Sequence, residues 1–172
     1  MKIAQQVVAH QPAISFSNSF QNHFKRAGGR TSNVVPEMQK RIYQIDGNRF
    51  SDLQGFFDQI GEHLIPGTGC GRNLDAFNDI LRGGFGTPDE GFILVWLNSA
   101  ESKKRLGYDE TQRQLERRLQ QCHPANRNAV AMELEQAKRH EGSTVFDWLV
   151  EIIEAHCEGG DEEEDGVELR LE

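Results

Sequence analysis

The sequence predicts an α/β fold in which a small three-stranded parallel sheet is packed by helices. Read along the chain, the predicted order is strand, helix, helix, strand, helix, helical insertion, helix, strand. Strands that are separated by helices pair in parallel. The apolar run at residues 92–97 has the length of a strand and no polar face, which is typical of a strand covered on both sides.

The first part of the predicted domain is a strand followed by a helix. Residues 42–45 are rich in β-formers and precede the Asp-Gly turn at 46–47, a pattern typical of a short strand. Ser51 and Gln54 have the spacing of a capping box, which predicts a helix start there. The residues that then recur at helical spacing are apolar: Leu53, Phe56, Phe57, Ile60 and Leu64.

The second part predicts three helical regions and a last strand. Residues 99–106 form a short predicted helix that ends at Gly107, and residues 108–142 form a polar helical insertion divided at Pro124. In residues 167–171, apolar and charged side chains alternate, as in a half-buried strand. Between the insertion and this last strand, the sequence predicts an amphipathic helix marked by Val145, Leu149, Ile152, Ile153 and His156.

Charge is unevenly distributed along the 172 residues. Residues 1–40 carry five basic side chains and one acidic one among many Gln, Asn and Ser, so we expect a poorly ordered N-terminal extension. Residues 41–172 form the predicted domain and carry 26 acidic and 14 basic side chains, a net charge of −12. This balance argues against nucleic-acid binding and favours a basic protein as partner.

The cysteine pattern predicts a reducing compartment. The three cysteines form no CxxC pair and no even framework, so we expect free thiols and a cytoplasmic protein. No apolar run approaches membrane-spanning length, so we expect no membrane contact. The pairs Cys122-His123 and His156-Cys157 lack the spacing of zinc sites, and residues 67–71 lack the Lys-Ser/Thr of a phosphate-binding loop. We therefore expect no metal and no cofactor.

Residues 70–81 contain the pattern that carries the most chemistry, a turn that leads into a helix with two carboxylates. Asp75, Asn78, Asp79 and Arg82 share one helical face. Like charges four residues apart cost about 0.2–0.5 kcal/mol, which an arriving cation would relieve. The residues alone leave both a functional site and a solvated surface open. Another face is suited to a core and consists of Leu74, Phe77 and Leu81.

Residues 71–79, with the sequence Gly-Arg-Asn-Leu-Asp-Ala-Phe-Asn-Asp, resemble the Gly-x-Asn-Leu-Asp-Ala-Leu-x-Asp pattern of the barstar family. These proteins are small bacterial inhibitors of barnase-type secreted ribonucleases. The element order and residues 153–159 are also similar, so the resemblance covers about residues 41–172 apart from the insertion. Residues 72–86 resemble the larger bacterial members of the family. It implies an immunity protein without catalytic residues, monomeric until it binds a basic ribonuclease or related nuclease toxin 1:1.

The resemblance also assigns roles to individual residues. Asp79 matches the central acid that enters the phosphate-binding pocket of the ribonuclease, and Asp75 matches the second acid of that helix. Glu154 matches an acid of the last helix that contacts the same enzyme. The complete set of predicted partner-binding residues is Cys70, Gly71, Asn73, Asp75, Asn78, Asp79 and Glu154.

Two departures from the family pattern, one in the turn and one within the helix, keep other hypotheses open. Gly69 and Cys70 occupy the turn where the family has aromatic residues, and Asn78 occupies the position of a Trp. Because aromatic residues are common interface anchors, the target could be a toxin that is not a ribonuclease. A third hypothesis is a hydrolase that uses Asp75 and Asp79 as acid and base, which requires a closed pocket.

Overall fold

The computed structural model describes residues 40–69, 71–83 and 86–172, which belong to one compact unit, Met38–Glu172. Residues 1–39 of the predicted extension lie outside this range. No helix in the described ranges is both long enough and apolar enough to cross a membrane. The elements are β1 (Arg41–Asp46), α1 (Leu53–His63), α2 (Leu74–Leu81), β2 (Phe92–Leu97), α3 (Ser99–Arg105), α4 (Tyr108–Gln121), α5 (Arg127–Lys138), α6 (Val145–Ala155) and β3 (Glu168–Leu171).

The three strands form one parallel sheet, which confirms the predicted fold class. Their order is β1-β2-β3, with Arg41 opposite Phe92 and Ile93 opposite Glu168. The central strand is buried as predicted, because Leu94 and Val95 point to opposite faces and expose only 0% and 5% of their surface. The predicted order of helices and strands is therefore correct along the whole described domain.

A cluster of aromatic rings fixes the helices on the sheet. The ring of Phe56, in α1, lies 5.2 Å from both Phe77 of α2 and Trp96 of β2, measured between ring centroids. All three side chains are fully buried. The Phe56–Phe77 pair meets edge to face, an arrangement that contributes about 0.5–1.5 kcal/mol beyond burial itself. Phe77 thus attaches α2 to the centre of the core.

Helix α1 begins with a different cap from the one predicted. The side chain of Asp52 accepts the backbone N–H of Gly55, which makes Asp52 the N-cap, and the predicted capping box of Ser51 and Gln54 is wrong. Ser51 is exposed and lies one residue before the helix cap. Asp is as good an N-cap as Ser, so the two neighbouring positions competed and sequence spacing alone could not decide between them.

Residues 108–142 form a helical hairpin, and its division at Pro124 agrees with the sequence. Helices α4 and α5 enclose a small second core of Leu115, Val130, Leu134 and Ala137. Two buried side chains in the first turn of α4 also bind other helices. Glu110 accepts the backbone N–H of Leu53 at the start of α1, and Thr111 accepts that of Val145 at the start of α6. The predicted insertion therefore supplies hydrogen bonds to the main domain, and its boundaries stay a prediction.

Candidate partner-binding site

Asn73 and Gly71 shape the turn before α2. The side-chain oxygen of Asn73 accepts the backbone N–H of Ala76 at 2.8 Å, which caps the helix. A Cβ atom at Gly71 would lie 2.7 Å from the Cβ of Ala76, so this position has no room for a side chain. Cys70, the predicted partner-binding residue beside them, lies outside the described residues.

Helix α2 presents its two carboxylates to solvent and its apolar face to the core. Asp75 and Asp79 are exposed, and the side chain of Asp79 keeps 53% of its accessible surface. On the other face, Phe77, Ile80 and Leu81 are at most 3% exposed. Replacing a buried Phe by Ala costs about 3–5 kcal/mol, so this apolar face holds the carboxylates on a fixed support.

The turn is tied to α1 by an ion pair. Arg72 binds the carboxylate of Asp58 at 2.6 Å, and both side chains are more than half exposed. Exposed pairs of this kind contribute little to stability, roughly 0–1 kcal/mol. The pair nonetheless occupies the guanidinium of Arg72, so this cation is not directed at Asp75 or Asp79.

Arg82, directly after α2, binds mainly the acidic loop, residues 158–166 between α6 and β3, and only at longer distance the acidic helix. Its Nε and Nη2 atoms donate to the two carboxylate oxygens of Glu162 at 2.6 Å each, whereas Nη1 is 3.5 Å from Asp79. These hydrogen bonds from Arg82 lower the pKa of Glu162, and in return Glu162 raises the pKa of Arg82. The charge of Asp79 is therefore only weakly compensated within the protein.

Asn78 does not face outwards with the two acids. It is half-buried, and its side-chain oxygen lies 3.0 Å from Nε2 of His156, at the end of α6. His156 is fully buried, and its Nδ1 lies 2.6 Å from a carboxylate oxygen of Asp165. The sequence marked His156 as part of an apolar stripe and as half of a His-Cys pair without zinc-site spacing. A polar residue within such a stripe, next to an acidic run, was the signal for this contact.

Glu154 occupies a different part of the surface. It is exposed on α6 and borders a groove together with Cys157, Glu158 and Glu168. Among the described residues, no hydrogen bond or ion pair joins it to α2. The structure thus groups Gly71, Asn73, Asp75 and Asp79 at one helix and its preceding turn. The role of Glu154 as a partner contact stays a prediction.

His156, Glu162 and Asp165 form a compact cluster of metal-ligand atoms. One donor atom from each lies within 4.8 Å of the others. All three already have partners, because Arg82 binds Glu162 while His156 bonds to Asp165. These contacts satisfy the cluster internally, as in a buried hydrogen-bond network.

A family model described as Barstar (barnase inhibitor) matches residues 40–131, which is more than half of the chain. The chain belongs to the barstar family. The matched range contains β1, α1, the acidic helix α2 and β2, together with α4 and the start of α5, which the sequence assigned to an insertion. No curated protein matches the chain.

Barstar-family membership narrows the function at a coarse level. Members of the barstar family are inhibitors rather than enzymes. The geometry agrees with this, because Asp75 and Asp79 lie on the exposed face of a helix rather than in the closed pocket that a hydrolase would need. Asn78 lies within the matched range. Its partner His156, the acidic loop and Glu154 lie outside it.

Proposed function

We propose that this protein inhibits a basic ribonuclease by placing the carboxylates of Asp75 and Asp79 in the enzyme's phosphate-binding pocket. The observation that carries the proposal is the exposure of both acids on a helix whose opposite face is buried. A ribonuclease must attract phosphate, so its active site presents cationic side chains. Carboxylates in the same place would accept charge-assisted hydrogen bonds and exclude RNA.

Rigidity supports this proposal. Asn73 caps α2, Phe77 anchors it on Phe56, and Arg82 ties its end to Glu162. A binding surface that is already ordered loses less conformational entropy when the partner arrives. The net charge of the domain acts in the same direction, since a strong acidic field accelerates the approach of a basic partner.

The proposal is tested by measuring inhibition of a purified barnase-type ribonuclease on a fluorescent RNA substrate. Asp79→Asn should weaken inhibition at least tenfold, because a hydrogen bond to a charged group contributes about 1.5–3 kcal/mol. Asp75→Asn should weaken it less, since Asp79 matches the central acid. The matched control is Asp109→Asn, an exposed acid on α4 with the same change in net charge. Equal inhibition by the Asp79 and Asp109 variants would contradict the assignment of Asp79.

A second target class is favoured by Asn78. Its side chain turns towards His156, so no aromatic side chain flanks Asp79 on that side. A toxin that is not a ribonuclease is therefore the alternative partner of the same surface. Absence of any effect on RNA cleavage, together with 1:1 binding to the toxin encoded by the adjacent gene, would favour this alternative.

The cytoplasmic location and the stoichiometry are parts of the same proposal. Among the described cysteines, Cys122 and Cys157 are free thiols, which suits a reducing compartment. One acidic helix offers one surface for one active site, so we expect a monomer that forms a 1:1 complex. Light scattering after size-exclusion chromatography of the protein alone and of the mixture measures both states directly.

A further inference from the structure

The buried ring of His156 lies directly beneath the proposed binding helix. Its Nε2 atom is 3.0 Å from the side-chain oxygen of Asn78, which is the residue before Asp79. Its Nδ1 atom is 2.6 Å from Asp165 Oδ2 and 3.5 Å from Glu162 Oε2. Both ring nitrogens therefore face oxygen acceptors, although the side chain is fully buried.

The chemistry of imidazole limits which form fits this site. A neutral ring donates from one nitrogen only, whereas the imidazolium donates from both. With the side-chain oxygen of Asn78 facing Nε2, only the charged ring can donate hydrogen bonds to Asp165 and Asn78 at once. A buried charge requires a counter-charge and hydrogen bonds, and Asp165 supplies both within the cluster.

The other charged groups around the ring support the charged form. The loop after α6 contributes Glu162 and Asp165, and the end of α2 contributes Arg82, with Asp79 beyond it. Because Arg82 binds Glu162 through two hydrogen bonds, Glu162 is already compensated. Asp165 remains as the direct partner of His156, which gives one positive ring for one carboxylate.

We propose that His156, as an imidazolium, is a positioning residue for the partner-binding helix: it holds Asn78 and so fixes the orientation of Asp75 and Asp79. This inference rests on the proposed function. Helix α2 has only eight residues, and its core contacts secure one face. The His156–Asn78 hydrogen bond secures a second side, next to the central acid. Preorganisation of this kind is what keeps a binding residue within reach of its target geometry.

The first test is the protonation state, which needs no partner. Long-range proton–nitrogen NMR spectra of the folded wild-type protein, recorded in the buffer of the inhibition assay, should show both ring nitrogens of His156 protonated. A ring with one bare nitrogen would overturn the inference, because Asn78 would then donate to a neutral histidine. This result stands whether or not the protein inhibits a ribonuclease.

The second test measures inhibition by folded variants. His156→Gln should weaken inhibition about tenfold, the effect of losing a charge-assisted hydrogen bond. The matched control, His63→Gln on α1, should leave inhibition unchanged. Wild-type inhibition by folded His156→Gln would overturn the inference.

The third test separates positioning from general stability and also applies if His156→Gln does not fold. Asn78→Asp keeps an acceptor for Nε2 and should retain inhibition within about threefold, whereas Asn78→Leu should lose about tenfold. In folded protein, the double variant that combines Asn78→Leu with His156→Gln should weaken inhibition no more than either single variant does. Equal inhibition by the Asp and Leu variants would refute the role of the contact. Wild-type protein that inhibits no ribonuclease would instead refute the proposed function.

Discussion

The carboxylate of Glu110, in the first turn of α4, accepts the backbone N–H of Leu53, the first residue of α1, at 2.9 Å. Glu110 is 2% exposed and also binds Gln114 at 2.7 Å and Arg113 at 2.8 Å. The first N–H groups of a helix have no partner within the helix, so this contact satisfies a group that burial would otherwise leave unpaired. The hairpin is thereby joined to the start of α1.

Removal of this acceptor should destabilise the whole domain. Glu110→Ala leaves the Leu53 N–H unpaired and should lower the free energy of unfolding by about 1–3 kcal/mol. Glu110→Gln retains an acceptor oxygen and should cost less. Urea unfolding followed by circular dichroism measures both, with the exposed Glu116→Ala on the same helix as control. Equal stability of the Ala variant and the control would show that the hairpin does not contribute to the cap.

The Arg82–Glu162 pair predicts a specific acid dependence of stability. Arg82 lowers the pKa of Glu162 in the folded protein, so the unfolded chain takes up this proton more readily. The stabilisation is therefore present at neutral pH and is lost as pH falls below the usual range of a glutamate, about pH 4. In Arg82→Met, the free energy of unfolding should fall less steeply between about pH 4 and pH 2 than in wild type.

At neutral pH the same variant should show only a small change. Both side chains are partly exposed, 49% for Arg82 and 31% for Glu162, and such pairs contribute at most about 1 kcal/mol. Parallel acid limbs of the two stability curves would argue that Glu162 titrates normally. Arg117→Met, which removes an exposed cation from α4, controls for the loss of one positive charge.

Ser102 is expected to be a sensitive core position. The indole N–H of Trp96 donates to the hydroxyl of Ser102 at 2.9 Å, and both side chains are fully buried. Ser102→Ala leaves this donor unpaired and should lower the free energy of unfolding by about 1–3 kcal/mol. Urea unfolding measures the loss. The exposed Ser51→Ala should change stability by less than about 0.5 kcal/mol.

Cys157 should react slowly with alkylating reagents in the folded protein. Burial raises the pKa of its thiol, which lowers the fraction of reactive thiolate at neutral pH. Iodoacetamide labelling followed by peptide mass spectrometry should find slow modification at pH 7 and a marked acceleration in urea. Rapid labelling of Cys157 without urea would mean that the groove beside β3 leaves the sulfur accessible.

Helix α2 and the strands were readable from sequence because their signals are local. The turn at the start of residues 70–81 and the apolar spacing of Leu74, Phe77 and Leu81 predicted a helix, which the structure places at Leu74–Leu81. The unbroken apolar run likewise fixed β2 at Phe92–Leu97. The predicted cap at Ser51 was wrong because the adjacent Asp52 has an equal propensity for the N-cap position.

The contacts that Asn78 and Arg82 make outside α2 could not be predicted from local sequence signals. Asn78 and His156 are 78 residues apart, and Arg82 and Glu162 are 80 apart. No periodicity along the chain links such positions. The helical pattern placed Asn78 with Asp75 and Asp79, but a half-buried side chain near the edge of that face was free to turn towards α6. Only tertiary packing decided its direction.

The parallel sheet has a consequence for how the molecule assembles. Strand β2 pairs with β1 about 50 positions earlier and with β3 about 75 positions later, so no hairpin can start the sheet. The contacts within the α4–α5 hairpin are far more local. Closing long chain segments slows folding, whereas local helical contacts form quickly. The acidic surface on α2 is therefore expected to be completed only in the slowest step, when the two distant strands join β2.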